Sequence, residues 1–131
     1  MTARLALILG SVAGFLAVAT GAFGAHGLQG KISAKRLANW ETASDYAIAH
    51  ALALVAVGLL LTQAPSRSAR VSAWGFTAGI ALFSGSLWVL AVTDISKLGM
   101  ITPFGGLAFL VGWVALALAA RHIRPSEGET P

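Results

Sequence analysis

The sequence predicts an all-α membrane protein: an antiparallel bundle of four transmembrane helices, with a short interfacial helix between the first two spans. Two observations predict this class. First, 56% of the 131 residues are hydrophobic and only 11% are charged, against about 25% charged residues in a soluble domain. Second, four stretches of at least 21 residues contain no Asp, Glu, Lys or Arg, and about 20 apolar residues suffice to cross the hydrocarbon layer. The composition therefore excludes a soluble enzyme, a disordered tail and a nucleic-acid-binding protein.

The four spans are expected where the uncharged stretches run between turn signals. Pro65 ends the second span, and short connections make successive spans antiparallel. At the fourth span, Thr102 is expected to cap the helix and Pro103 to occupy its first position, where a missing N–H costs nothing. Residues 1–131 are expected to form one membrane domain with a flexible polar tail at 121–131. The expected spans are residues 5–25, 46–63, 71–93 and 103–120.

The connection between the first two spans is long enough for a helix of its own. Ser33 can cap this helix, and Leu37, Trp40 and Ser44 fall on one face at helical spacing. We therefore expect an interfacial helix at about residues 33–44, leading into the second span, with Trp40 at the depth of the lipid headgroups.

The first apolar stretch begins like a signal peptide but is too long to be one. It continues past Ala19 through Phe23 and Ala25, whereas a signal core contains about 7–15 apolar residues. The first span is therefore expected to be retained in the mature protein.

Small residues recur along one stripe in the first span and one in the fourth. Lipid tails are as apolar as leucine, so membrane helices pack through close contact at such residues. The alternating spacings of three and four average 3.5 residues, the period of a left-handed crossing. The sequence leaves open whether these two seams close the bundle or join two copies of the chain. The seams are Gly10, Gly14, Ala17, Gly21 and Gly24 in span one, and Gly105, Ala108, Gly112, Ala115 and Ala119 in span four.

The distribution of Lys and Arg predicts the orientation in the membrane. The N-terminus, the second loop and the C-terminus together carry five of these residues, and the first and third loops carry four. Because basic residues favour the cytoplasmic side, both termini are expected to be cytoplasmic.

Polar residues collect at the end of the bundle formed by the first and third loops. They close one span or open the next, so an antiparallel bundle places them at one depth. A functional site, if the protein has one, is expected at this end, on the non-cytoplasmic face. The candidate residues are His26, Asp45, Tyr46, His50, Asp94 and Thr102.

The two histidines among these candidates have two explanations. In the first, His26 and His50 face each other and hold a metal or haem, bind a small ligand or relay protons. In the second, each imidazole bonds a carbonyl or hydroxyl and fixes the contact between spans one and two. The second is favoured, because no carboxylate-rich motif or His-x-x-x-His spacing supports a metal site. No cofactor is therefore predicted.

The sequence contains no complete catalytic set. Ser84-Gly85-Ser86 lacks a surrounding Gly-x-Ser-x-Gly pattern, and there is no cysteine. A transporter or channel is a weaker alternative, because four-span drug exporters of similar length carry a glutamate in span one, where this chain has no acid. The favoured interpretation is a non-enzymatic bundle that self-associates or serves as an accessory subunit of a larger complex in the lipid bilayer, with no nucleic-acid partner.

Four segments together resemble one family. They are GAFGAHGL at 21–28, WETASDYAIAHALAL at 40–54, FSGSLW at 83–88, and LGMITPFGG at 98–106 followed by Gly112-Trp113. In order and spacing they are similar to the domain-of-unknown-function family 423, also called uncharacterised protein family 0382, whose eukaryotic relatives are called transmembrane protein 256. Trp88 stands where the family pattern leads us to expect tyrosine.

The resemblance extends over about residues 10–120. It implies a small four-span protein of the bacterial inner membrane with an uncleaved first span. It implies no reaction, since the family has no assigned activity. By motif position it points to the segments that contain His26 and His50, the same end that the polar residues single out.

Overall fold

The computed structural model describes residues 1–123, and these residues form helices and turns with no strand. Four helical spans are each long and apolar enough, by length and composition, to cross a membrane. The predicted class, an all-α membrane protein with four spans, is therefore confirmed. The spans are Ala3–Leu28, Ala34–Gln63, Arg67–Thr93 and Ser96–His122.

Five α-helices and four shorter helical turns make up these spans. The helices are α1 (Ala3–Phe23), α2 (Ala34–Gln63), α3 (Arg67–Gly79), α4 (Gly85–Thr93) and α5 (Thr102–Ala119). A π-helical turn at Gly24–Leu28 extends α1, and another at Ile80–Ser84 joins α3 to α4 within the third span. Short 3-10 turns, Ser96–Met100 and Ala120–His122, flank α5. The predicted tail at 121–131 lies outside the described residues from position 124 onward.

The helix predicted at residues 33–44 is present, but as the first turns of α2 rather than as a separate element. Ser33 caps α2 as expected, its Oγ accepting the backbone N–H of Arg36 at 3.3 Å. No proline lies in the following residues, and the helix runs on without a break, for 30 residues in all, to Gln63. The depth of Trp40 in the membrane stays a prediction, but its side chain faces into the bundle. It is buried, and its indole N–H donates to the backbone carbonyl of Thr20 at 2.7 Å.

Thr102 begins α5 with Pro103 in the first turn, but it does not cap the helix as predicted. The cap position falls at Ile101, which offers no side-chain hydrogen bond. The Thr102 hydroxyl instead lies 2.9 Å from the Oγ of Ser86 on α4. A hydroxyl inside the membrane gains more from a partner on a neighbouring helix than from exposure to lipid.

The spans pack as two pairs. α1 packs along α2, and α5 packs along α3, while α2 joins the pairs through contacts with α3 and α4. α1 meets α3 only marginally, so α1 and α5 are the outer helices. This arrangement leaves two furrows, one between α1 and α3 and one between α2 and α5.

The glycine seam of span one faces α2. A Cβ on Gly10 would lie 2.8 Å from the Val55 side chain and 3.1 Å from the carbonyl oxygen of Ala51, and one on Gly24 would lie 2.6 Å from the Trp40 ring. Gly14 and Gly21 face Ala51 and Ser44 more loosely, at 3.9 Å. This seam is therefore used inside the chain.

The glycine seam of span four faces the third span. Gly105 lies directly against the backbone of Phe83, and a Cβ on Gly112 would lie 2.7 Å from the Phe76 ring. Gly75 on α3 approaches the Gly112 backbone so closely that a Cβ would lie 2.9 Å away. Both seams thus close the bundle, the first of the two possibilities that the sequence left open.

Candidate functional site

The structure distributes the six candidate residues over several places. Tyr46 and His50 lie together in α2, and Thr102 pairs with Ser86. Asp94 ends α4 beside Arg36 of α2. His26 and Asp45 are exposed and form no side-chain hydrogen bond or ion pair within residues 1–123. The predicted polar end is thus divided among separate contacts.

The structure does not bring His26 and His50 together. His26 lies in the π-helical turn at the end of α1. His50 is level with the middle of α1, because its neighbour Ala51 faces Gly14. Twelve residues separate Gly14 from His26, which corresponds to about 18 Å along a helix. Within the described part of the chain, no group of three or more His, Cys, Asp or Glu side chains is placed to hold a metal ion.

His50 is buried, with 7% of its surface exposed. Its Nδ1 lies 2.7 Å from the backbone carbonyl oxygen of Tyr46, and its Nε2 accepts the indole N–H of Trp113 at 3.1 Å. Because an indole N–H can only donate, Nε2 is the unprotonated nitrogen, and Nδ1 carries the proton that it donates to the carbonyl. Both nitrogens of a neutral ring are therefore satisfied. A metal could bind Nε2 only by displacing Trp113.

Six aromatic rings fill the furrow between α2 and α5. The imidazole of His50 stacks on Phe109 with 3.5 Å between ring centroids, and Tyr46 stacks on Phe83 at 4.5 Å. We call this group the aromatic cluster, and its hydrogen bond from Trp113 to His50 ties α5 to α2. Its members are Tyr46, His50, Phe76, Phe83, Phe109 and Trp113.

A second polar group joins α1, α2 and α4 near the end of the bundle formed by the first and third loops, which we call the loop-one end. The Ser44 Oγ lies 3.2 Å from the Thr20 Oγ1 and accepts the indole N–H of Trp88 at 3.1 Å. Together with the bond from Trp40 to the Thr20 carbonyl, these contacts form what we call the Thr20–Ser44 network. Hydrogen bonds between helices specify their register in an apolar environment. The network therefore helps to set the register of α1, α2 and α4.

Arg36 closes the C-terminal end of α4. Its Nε donates to the backbone carbonyl of Ala91 at 2.6 Å, and an Nη donates to the carbonyl of Val92 at 2.9 Å. The last carbonyls of a helix lack intrahelical partners and carry partial negative charge, which a guanidinium satisfies. Asp94, with φ at 59° in the left-handed region, ends the helix, and its carboxylate lies 3.9 Å from the Arg36 Nε.

Sequence reasoning missed the partners that define these contacts. Trp113 is 63 residues from His50, and Arg36 is 55 residues from Ala91, so no local spacing links them. Thr20 offered a usable signal, because it is one of only two hydroxyl residues, with Ser11, in the predicted first span. A hydroxyl in that position needs a partner on the same or a neighbouring helix.

The fold and these contacts define a class of protein: a four-span helical membrane protein in which buried His50, Ser44 and Ser86 form hydrogen bonds between its own helices. A model of the family described as "Protein of unknown function (DUF423)" matches residues 20–106, which include the Thr20–Ser44 network and His50 but end before Trp113.

Curated relatives agree with this match. The chain is 47% identical to a UPF0382 membrane protein of Staphylococcus aureus (strain bovine RF122 / ET3-1), over 88% of this chain and 94% of that protein. It is 49% identical to the UPF0382 membrane protein YwdK of Bacillus subtilis (strain 168), over 87% of this chain and 94% of that protein. The chain therefore belongs to the DUF423 family of membrane proteins, as its resemblance indicated. No solved structure matches it.

Proposed function

We propose that this protein is a non-catalytic component of the membrane that associates with another membrane protein, or with further copies of itself. One observation carries the proposal. His50 is the only ionisable side chain buried among residues 1–123, and both of its ring nitrogens are engaged inside the bundle, Nδ1 with the Tyr46 carbonyl of the same helix and Nε2 with Trp113 of α5. The proposal therefore requires no cofactor and no reaction at this histidine.

The outer faces of α1 and α5 support association. Their glycine seams face inward, while large apolar side chains cover the outside, such as Phe15 (73% exposed) on α1 and Phe104 (65% exposed) on α5. In a membrane such faces contact lipid or the helices of a partner. We place the partner on these faces rather than at the loop-one end.

Isolation from native membranes tests this proposal. The protein, tagged and at native expression, is extracted in mild detergent, and its partners and intact mass are determined by mass spectrometry. We expect stoichiometric recovery of another membrane protein, or the mass of a homo-oligomer. An unrelated four-span protein with the same tag is the control for adventitious partners. A monomer alone would contradict the proposal. Haem or metal at His26 or His50 would favour the alternative of a ligand-handling protein.

We further propose that the protein lies in the bacterial inner (plasma) membrane with both termini in the cytoplasm. Support comes from the small excess of Lys and Arg on the side of the termini. In addition, Arg36, which lies on the opposite side, donates to backbone carbonyls of α4. This contact explains the position of Arg36 without a cytoplasmic location.

Cysteine labelling tests this orientation, because the chain has no native cysteine. Gln29 and Gln63 form a matched pair: both are exposed, and they lie at opposite ends of the bundle. A membrane-impermeant maleimide is expected to label Gln29→Cys in intact cells and Gln63→Cys only after lysis. The reverse pattern would place the termini outside.

A further inference from the structure

The two ends of the bundle differ in charge. The carboxylates of residues 1–123 all lie at the loop-one end. They are Glu41, Asp45 and Asp94. The opposite end, formed by the second loop, the start of α1 and the end of α5, carries exposed arginines and no carboxylate within the described residues. The guanidinium groups of these arginines can bind anions. The arginines of this end are Arg4, Arg67, Arg70 and Arg121.

A cavity opens at this arginine-rich end, between the start of α1 and the start of α3. Its volume is about 540 Å³. Leu5, Leu61 and Pro65 form apolar walls, and Arg70 lies at its rim. A cationic group beside a recess with apolar walls on one part of its lining matches a ligand that has an anionic head and an apolar body.

A second cavity lies deeper in the bundle, between α1, α2 and the third span. Its volume is about 190 Å³, and its lining is almost wholly apolar. On α1, Leu9 of this cavity follows Leu5 of the first by four residues. On α2, Leu54 and Leu61 are seven residues apart, so each pair lies on one face of its helix. The two cavities therefore lie along one furrow, the one between α1 and α3.

The length of this furrow matches one lipid leaflet. It runs along the third span from Arg70, at the rim of the first cavity, to Ala81, which lines the second. Eleven residues of helix correspond to about 16 Å, close to half of the roughly 30 Å hydrocarbon thickness.

We propose that an anionic phospholipid binds in this furrow, with its phosphate at Arg70 and an acyl chain along the leucine-lined walls. Basic pockets between transmembrane helices are suited to anionic headgroups, and a guanidinium can bind a phosphate through two hydrogen bonds. A helix from a parallel second copy fits less well. It would bring arginines against arginines, and the large side chains of the furrow prevent the close approach that helix pairs need.

The test compares Arg70→Gln with Arg67→Gln, a matched variant at an exposed arginine that does not line the cavity. The full-length protein in neutral detergent is titrated with phosphatidylglycerol, and with phosphatidylcholine as the uncharged control. Binding is followed by thermal stability and by native mass spectrometry. We expect phosphatidylglycerol to bind and stabilise the protein. Arg70→Gln should weaken this binding about five-fold, while Arg67→Gln retains it.

Three results would overturn the proposal. One is equal binding of the two lipids. Another is equal loss in both variants, which would indicate only the general charge of this end. The third is displacement of bound lipid by a second copy of the chain at higher protein concentration. The lipid-free stability of each variant is measured first, and Arg70→Lys, which keeps the charge, is expected to retain part of the binding. The outcome does not depend on whether the protein has a protein partner.

Discussion

Replacing Gly105 with alanine is expected to destabilise the bundle by about 3 kcal/mol. The new Cβ would overlap the backbone nitrogen of Phe83 and lie 2.7 Å from its Cβ and 2.8 Å from its Cα. Backbone atoms cannot rotate away as the end of a side chain can, so α5 would have to move off the third span. The midpoint of thermal unfolding in detergent measures this loss.

Gly106→Ala is the matched control for this prediction. Gly106 is the next residue of the same helix, and the nearest atom to its added Cβ is the Cδ2 of Phe83 at 4.0 Å. Because alanine is favoured over glycine within a helix by up to about 1 kcal/mol, Gly106→Ala is expected to be neutral or slightly stabilising. Equal losses at both positions would contradict the close approach of α5 to Phe83.

Replacing His50 with alanine is expected to have a comparable effect, a loss of about 3 kcal/mol. The substitution removes the ring stacked on Phe109 and leaves the indole N–H of Trp113 without an acceptor. A cavity and an unsatisfied donor both destabilise a packed interior. Thermal unfolding of the purified protein measures the loss.

His26→Ala is the control for the second histidine. His26 is exposed at the end of span one and has no side-chain hydrogen bond within the described residues, so its replacement is expected to change stability by less than about 0.5 kcal/mol. If both variants behaved alike, the structural distinction between the two histidines would be wrong. A bound ligand lost only in His50→Ala would favour the ligand-handling alternative.

The spans and the helix seams could be predicted because the membrane imposes strong rules on a sequence. Uncharged stretches of more than 20 residues have few alternatives to a transmembrane helix. The inward faces of α1 and α5 followed from small residues such as Gly10 and Gly105, because close helix contact requires them. The helices that pack against these faces could not be predicted, because small residues favour close contact but do not specify the neighbouring helix.

The details of the candidate site could not be predicted, for two physical reasons. The bond between Trp113 and His50 depends on how α5 lies across the aromatic cluster, which only the packed bundle determines. The polar end was expected to hold one site because antiparallel spans share a depth. However, residues at the same depth in the membrane can point in different directions around their helices. His50 faces the furrow towards α5, whereas its neighbour Ala51 faces α1.

The sequence likewise could not predict that the interfacial helix and the second span form one continuous helix. The predicted start of the second span, Tyr46, follows the last charge of the connection, Asp45. Backbone hydrogen bonding does not depend on that charge, and α2 passes through it without a break. The indole N–H of Trp40 donates to a backbone carbonyl of α1, so the side chain points into the bundle.

The central claim is that hydrogen bonds of buried side chains such as His50 and Ser44 hold the helices of this protein together, and the His50–Trp113 pair tests it most directly. The measurement is the unfolding free energy of His50→Phe, Trp113→Phe and the double variant, each of which keeps an aromatic ring at the position. Each single variant leaves one polar group of the pair without its partner, and the double variant leaves neither. We expect the double variant to be about 1 kcal/mol more stable than the sum of the single losses predicts. Strict additivity would show that the two side chains are not coupled and would contradict the claim.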